Sequence, residues 1–153
     1  MIIKKLFRTL LTAVLITIVN TANGQNQDTS FAGAKPTLSS YKVLFVLNEG
    51  DEKKIKGTLR NIKNSMEDPR LKGKLEVELI VFSDGVSVYA KAGPFEETLK
   101  ALQAKGVILA QCENTVRERK IDKNTLFPFI SYVPSGVGEI IIRQQQGWAV
   151  VHP

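Results

Sequence analysis

The sequence predicts an α/β domain built on a mostly parallel sheet with helices on both faces. Short runs of β-forming apolar residues alternate along the chain with amphipathic segments of helical period. Two of those runs are apolar at nearly every position, as expected of strands buried on both faces. Strand, helix and strand in succession form right-handed βαβ units, which bring consecutive strands together in parallel.

Residues 1–24 are expected to lie outside this domain, as a signal peptide. Lys4, Lys5 and Arg8 form a positive start and Thr9 to Val19 an apolar stretch, and Ala22-Asn23-Gly24 offers small residues for cleavage before Gln25. The stretch falls short of the ~20 apolar residues that span a bilayer. No membrane span is therefore expected after cleavage, and the protein is expected to be periplasmic or secreted. Residues 25–40 are rich in Gln, Asn, Ser, Thr, Gly and Pro and read as a flexible lead-in to a domain covering 41–153.

Within the domain, Tyr41 to Leu47 is a strand with almost no polar interruption. Asp51 can cap a helix reaching about Met66, with Ile55, Leu59, Ile62 and Met66 on one face and Asp68-Pro69 as its stop. Leu75 to Phe82 is a second strand, in which Val77, Leu79 and Val81 alternate with Glu76, Glu78 and Ile80. A helix beginning near Pro94 turns Phe95, Leu99 and Leu102 inward and ends at Gly106. Val107 to Ala110 is the third strand, followed by Gln111-Cys112-Glu113-Asn114-Thr115 and a helical turn over Thr115 to Lys120. Phe129 to Val133 is the fourth. Ile140-Ile141-Ile142 would suit a strand, but Ser135 as a cap and Gly147 as a terminator favour a helix over 137–146. Trp148 to Val151 is a short last strand.

Charge excludes one class of partner. Three of the 21 basic residues and none of the 15 acidic ones fall in the leader, so the remaining 129 residues carry 18 against 15, a balance of +3. That is too small to predict nucleic-acid binding. Lys53, Lys54, Lys56, Arg60 and Lys63 alternate with the apolar positions of their helix and read as its solvated face.

Ligands of parallel sheets bind outside the carboxyl ends of the strands. Those ends present Asn48 and Glu49, Ser83 and Asp84, Cys112 and Asn114, and Ser135. Cys112 is the single cysteine, so the domain has no internal disulfide, and it is the one residue suited to covalent chemistry. A lone thiol of this kind is either a buried, inert core residue or a reactive one. A helix start would favour the thiolate, Arg117 and Arg119 would add positive charge, and Glu113 would oppose it. Asn48 and Glu49 either line the same cleft, as hydrogen-bond partners or a general base, or form a plain strand-to-helix turn with Gly50. Ser135 suits a helix cap more than a nucleophile, because the chain's one histidine is His152 at the far end and no nucleophile-elbow pattern surrounds the serine. One His and one Cys do not make a zinc site, and no dinucleotide or phosphate-loop motif is present, so no metal and no cofactor are expected. Trp148 reads as core or subunit-contact packing.

Four segments in this order and spacing resemble the exported branch of the DsrE/DsrF-like family. They are Val46-Leu47-Asn48-Glu49-Gly50, Ala110-Gln111-Cys112-Glu113-Asn114-Thr115, Val133-Pro134-Ser135-Gly136-Val137, and Arg143-Gln144-Gln145-Gln146-Gly147-Trp148-Ala149. The resemblance covers Tyr41 to Pro153. It implies a three-layer α/β/α sandwich with a five-stranded parallel sheet, commonly assembled into homo-oligomers. The best understood relatives carry sulfane sulfur as a persulfide on a cysteine placed after a central strand, and Cys112 matches that position. The chain differs from them in its leader and in its Cys-Glu-Asn-Thr context. The resemblance thus implies a sulfur carrier or sulfurtransferase-like protein, with Cys112 as the reacting residue and Asn48, Glu49, Asn114 and Ser135 shaping its pocket. Its partners would be a sulfur donor or acceptor protein or a small sulfur compound. The alternative is a non-catalytic oligomeric module for small-ligand binding or scaffolding, with Cys112 inert in the core, and a third reading is redox sensing through an intermolecular disulfide.

Overall fold

Strands β1, Tyr41–Leu47, and β2, Leu75–Val81, pair in parallel along their whole length, with Tyr41 opposite Leu75 and Leu47 opposite Val81. β3, Ile108–Cys112, pairs with β2, and β4, Ser131–Val133, with β3. β5, Ala149–Val151, closes the other edge beside β1. The order is β4-β3-β2-β1-β5 and every pairing is parallel, so the sheet is wholly rather than mostly parallel. The computed structural model describes residues 30–153. The expected signal peptide, 1–24, and the start of the expected lead-in lie outside the described residues. Lys35–Pro153 form one unit, while residues 30–34 belong to the unit before it and carry no helix or strand.

The strand order decides where the helices go. The chain steps in one direction from β1 to β4 and then returns across the sheet to β5. Right-handed crossovers place connections that step one way on one face and a connection that returns on the other. Helices α1, Glu52–Glu67, α2, Glu96–Ala104, and the short α3, Glu113–Glu118, accordingly cover the first face, and α4, Gly136–Gln145, covers the second.

Each helix forms for local reasons. Asp51 caps α1 by accepting the Lys54 N–H at 2.9 Å, and Ile55, Leu59 and Ile62 are buried at helical spacing. Each such side chain contributes about 1.5–3 kcal/mol through burial. Ser135 caps α4, its Oγ accepting the Gly138 N–H at 3.1 Å. The ambiguous Ile140-Ile141-Ile142 run is therefore helical: the cap and the Trp148 anchor behind it outweigh its β propensity. Residues Ser83–Tyr89 form a 3-10 helix that local patterning does not predict, held where Phe82 N–H donates to the Leu47 carbonyl at 3.2 Å.

The two cores differ in size. The first face gathers Val43, Phe45, Leu79, Ile55, Ile62, Tyr89, Leu99 and Phe127 among others. The second holds Leu44, Val46, Ile80, Ala110 and Trp148, with Ile140 packed against them. Glu78 corrects the alternation read from the sequence, which pairs it with the polar positions of β2. It is 1% exposed on the second face, where Arg143 of α4 reaches its carboxylate at 2.7 Å. Burial raises the pKa of that carboxyl, Arg143 opposes the rise, and Glu139 adds to it. Arg143 also stacks over the Trp148 ring at 4.3 Å, which places Trp148 in the core. The outer side of α4 leaves Val137, Ile141 and Ile142 more than half exposed.

Candidate functional site

The carboxyl ends of β3 and β4 form a topological switch point. The chain leaves β3 through α3 toward the first face and leaves β4 through α4 toward the second, so the backbone parts and opens a crevice. Cys112 is the last residue of β3 and the residue that caps α3. The expected helical turn therefore begins two residues earlier than its predicted start at Thr115. The strand also runs on to Cys112, because its ladder with Val133 continues that far.

Alternation along β3 puts Leu109 in the first core and Ala110 in the second, so Cys112 faces the α4 side. Its side chain is buried, with 5% of the residue exposed, at the floor of a cleft of about 290 Å³. Phe82, Ser83, Asn114, Thr115, Arg119, Ser135 and Gly136 stand around that cleft. Behind the thiol, wholly buried Gln111 donates its amide to the Cys112 carbonyl at 3.0 Å and steadies the turn.

What surrounds the sulfur is neutral and donating. Burial pushes the Cys112 thiol up, but the Thr115 and Gly136 N–H groups, the Thr115 hydroxyl and the Asn114 N–H together outweigh it and hold the thiol below its ordinary pKa. A neutral thiol is a weak acceptor and makes no full capping bond here. The same donors favour the thiolate, since hydrogen bonds to the charged form stabilise it. Gly136 can reach the sulfur for two reasons. Ser135 satisfies Gly138 and leaves the first N–H of α4 unused. A Cβ at position 136 would also stand 2.9 Å from Phe82 Cδ1, so glycine lets the helix start approach.

The charged residues expected to tune the thiol are engaged elsewhere. Arg119 donates to Ser83 Oγ at 3.1 Å and pairs with Asp84, whose carboxyl it holds below the usual range. Arg117 donates to Asn114 Oδ1 at 2.7 Å. Glu113 pairs with Lys123 at 2.8 Å, and that ammonium lies over the Tyr132 ring.

Of the residues singled out from the sequence, the fold brings Cys112, Asn114 and Ser135 together in this cleft. Asn48 and Glu49 lie outside it. They follow β1, two strands from β3, and the Ser83–Tyr89 helix begins between the two strand ends. Asn48 Oδ1 instead meets His152 Nε2 at 2.9 Å, and Glu49 pairs with Lys54 at 3.6 Å beside a separate acidic hollow with Asp51, Asp84 and Ser87. Thr115 and Gly136 are the site residues that sequence reasoning passes over. Their signal is slight: a threonine three residues after a capping position, and a glycine at the first position of a helix. A larger groove of about 790 Å³ runs between α1 and α2, but its lining of Leu59, Phe95, Leu102, Lys56 and Arg60, among others, holds no nucleophile. Among the described residues no three His, Cys, Asp or Glu side chains cluster as metal ligands would. None of the described helices is long and apolar enough to cross a membrane.

A model of the DsrE/DsrF-like family matches residues 41–153. Among solved structures the fold is similar to that of MTH1491, a protein of unknown function from Methanobacterium thermoautotrophicum, with a TM-score of 0.70 and 32% identity over 74% of this chain and 100% of that one. It is also similar to the ychN protein from E. coli, with a TM-score of 0.57 and 18% identity over 74% of this chain and 99% of that one. BT1422, a conserved protein of unknown function from Bacteroides thetaiotaomicron, has a TM-score of 0.58 and 11% identity over 73% of this chain and 94% of that one. The last two likenesses bear on the fold alone. A search of curated proteins finds no match.

Proposed function

The chain belongs to the DsrE/DsrF-like family, and from that premise we propose that it is a sulfur carrier that holds sulfane sulfur as a persulfide on Cys112. The observation that carries this reading is the ring of neutral donors on a buried thiol at the switch point of the sheet. Sulfur exchange needs a thiolate to attack and the same thiolate to leave. In the loading step the Cys112 thiolate attacks the terminal sulfur of a hydropersulfide, R–S–SH. A Cys112 S–S bond forms, the donor's S–S bond breaks, R–S⁻ departs, and the proton stays on the transferred sulfur. In unloading, an acceptor thiolate takes that outer sulfur and Cys112 leaves as the stabilised thiolate. One set of donors thus serves both directions. Ser83, Asn114 and Ser135 line the cleft through which the sulfur enters.

Export, with the leader removed near Gly24-Gln25, is part of the same proposal, as is assembly into a homo-oligomer. The exposed Val137, Ile141 and Ile142 on α4 support assembly, because apolar side chains in such a cluster favour contact with another protein surface.

Incubating the purified protein with a small-molecule hydropersulfide and measuring intact mass tests the carrier reading. Gain of one sulfur, reversed by a thiol reductant and missing in Cys112→Ser, is the expected result. A wild-type protein that takes up no sulfur while its cysteine labels readily would overturn it. The inert-cysteine alternative draws on the same burial of Cys112, and it predicts that alkylation requires denaturant.

A further inference from the structure

We propose that Thr115 is a positioning residue that aims its hydroxyl proton at the Cys112 sulfur, because the Ser83 N–H occupies the acceptor side of that hydroxyl. The proposal rests on the carrier reading for its purpose but not for its geometry. Thr115 is buried at the third position of α3, the position from which a side chain reaches back toward the capping residue. Its Oγ1 accepts the Ser83 N–H at 3.0 Å, and both residues line the cleft with Cys112.

A hydroxyl carries one proton and can rotate it toward any acceptor within reach. With its oxygen engaged by Ser83, the Thr115 hydroxyl has its proton left for the sulfur, to which it donates. Thr115 thereby acts only as a donor and stabilises the thiolate.

The Ser83 backbone is shaped for this. Its φ of 53° lies in the left-handed region, which costs a non-glycine residue about a kcal/mol or more. That conformation follows directly on β2 and starts the 3-10 helix, and Arg119 holds the Ser83 side chain from the other side at 3.1 Å. The strained turn presents an N–H across the crevice between β2 and α3, where Thr115 receives it.

Other charges near the sulfur do not substitute for this contact. From α3 they are Glu118 and Arg119, the latter paired with Asp84 at the end of β2. The start of α4 brings the uncharged Ser135, Gly136 and Val137, and Phe82 and Ser83 after β2 are uncharged as well. Glu113 and Lys123 pair with each other.

The experiment is the pH dependence of Cys112 alkylation by iodoacetamide in native protein, run beside hydropersulfide loading. Thr115→Val is expected to raise the thiol pKa by about one unit and to slow alkylation at neutral pH roughly tenfold. Thr115→Ser keeps the hydroxyl and is expected to restore the wild-type profile. A Val profile that coincides with wild type overturns the proposal, and so does a Ser profile displaced as far as that of Val. If Thr115→Val does not fold, Thr115→Ala takes its place beside Thr115→Ser, and an Ala profile that coincides with wild type overturns the proposal in the same way. Failure of the carrier reading looks different: the profiles shift as expected, yet wild-type protein gains no sulfur.

Discussion

The turns after β1 and after β3 start from nearly the same backbone. Each strand ends at the carboxyl edge of the sheet, and each following helix is capped by a residue in extended conformation, Asp51 at φ −64°, ψ 129° and Cys112 at φ −68°, ψ 121°. At the first turn an exposed carboxylate takes the Lys54 N–H at 2.9 Å and the capping need is met. Asn48 and Glu49 beside it are engaged with His152 and Lys54. At the second turn the capping side chain is a buried sulfur, which as a neutral thiol satisfies little and as a thiolate satisfies much. A second helix, α4, adds its first N–H to the same atom. A strand-to-helix turn becomes a chemical site when the cap can ionise and neighbouring donors converge on it. The turn after β1 lacks the second helix because the chain reverses direction only after β4.

This contrast can be broken in graded steps. The largest effect is expected from Cys112→Ser, which should abolish sulfur uptake measured by intact mass. Gly136→Ala comes next. The added Cβ, 2.9 Å from Phe82 Cδ1, must push the start of α4 aside. Its N–H then withdraws from the sulfur, and alkylation at neutral pH should slow roughly tenfold, the equivalent of about one pKa unit.

A smaller effect is thermodynamic and has a definite sign. The folded-state pKa of Cys112 lies below that of the unfolded chain. Thiolate formation therefore adds stability as pH rises through the folded pKa. The gain is complete above the unfolded value of about 8.5 and is lost again as pH falls. Denaturant midpoints of wild type and Cys112→Ser should diverge upward over that window, by about 1.4 kcal/mol for every pH unit that separates the folded and unfolded pKa values. A difference independent of pH would show that the donors do not act on the thiolate. The smallest effect on the site is expected from Asp51→Ala. Losing that cap should cost about 1 kcal/mol of stability, read from the denaturant midpoint, and leave the Cys112 alkylation profile unmoved. A shifted profile would show that the two turns are coupled.

Much of the fold was legible because its signals are local. Apolar runs such as Tyr41–Leu47, the cap at Asp51 and the cap at Ser135 are properties of neighbouring residues, and each appears where the sequence places it. Glu78 was misplaced for the opposite reason. Period-two alternation marks which residues share a face, but Arg143 and Trp148, which cover that face, are more than sixty positions away. The 3-10 helix at Ser83–Tyr89 escaped notice because its left-handed first residue is a serine, which carries no glycine-like signal.

By itself the sequence determined an α/β domain, the family, and the location of its one thiol at a strand end. It could do so because periodicity, caps and residue chemistry are written along the chain. Only the tertiary structure decided which strand ends share a crevice, since strand order is set by crossovers spanning twenty or more residues. That order separated Asn48 and Glu49 from Cys112 and brought Gly136 to it. It also set Ser83 against Thr115, thirty-two positions apart, and made a buried thiol the focus of converging donors.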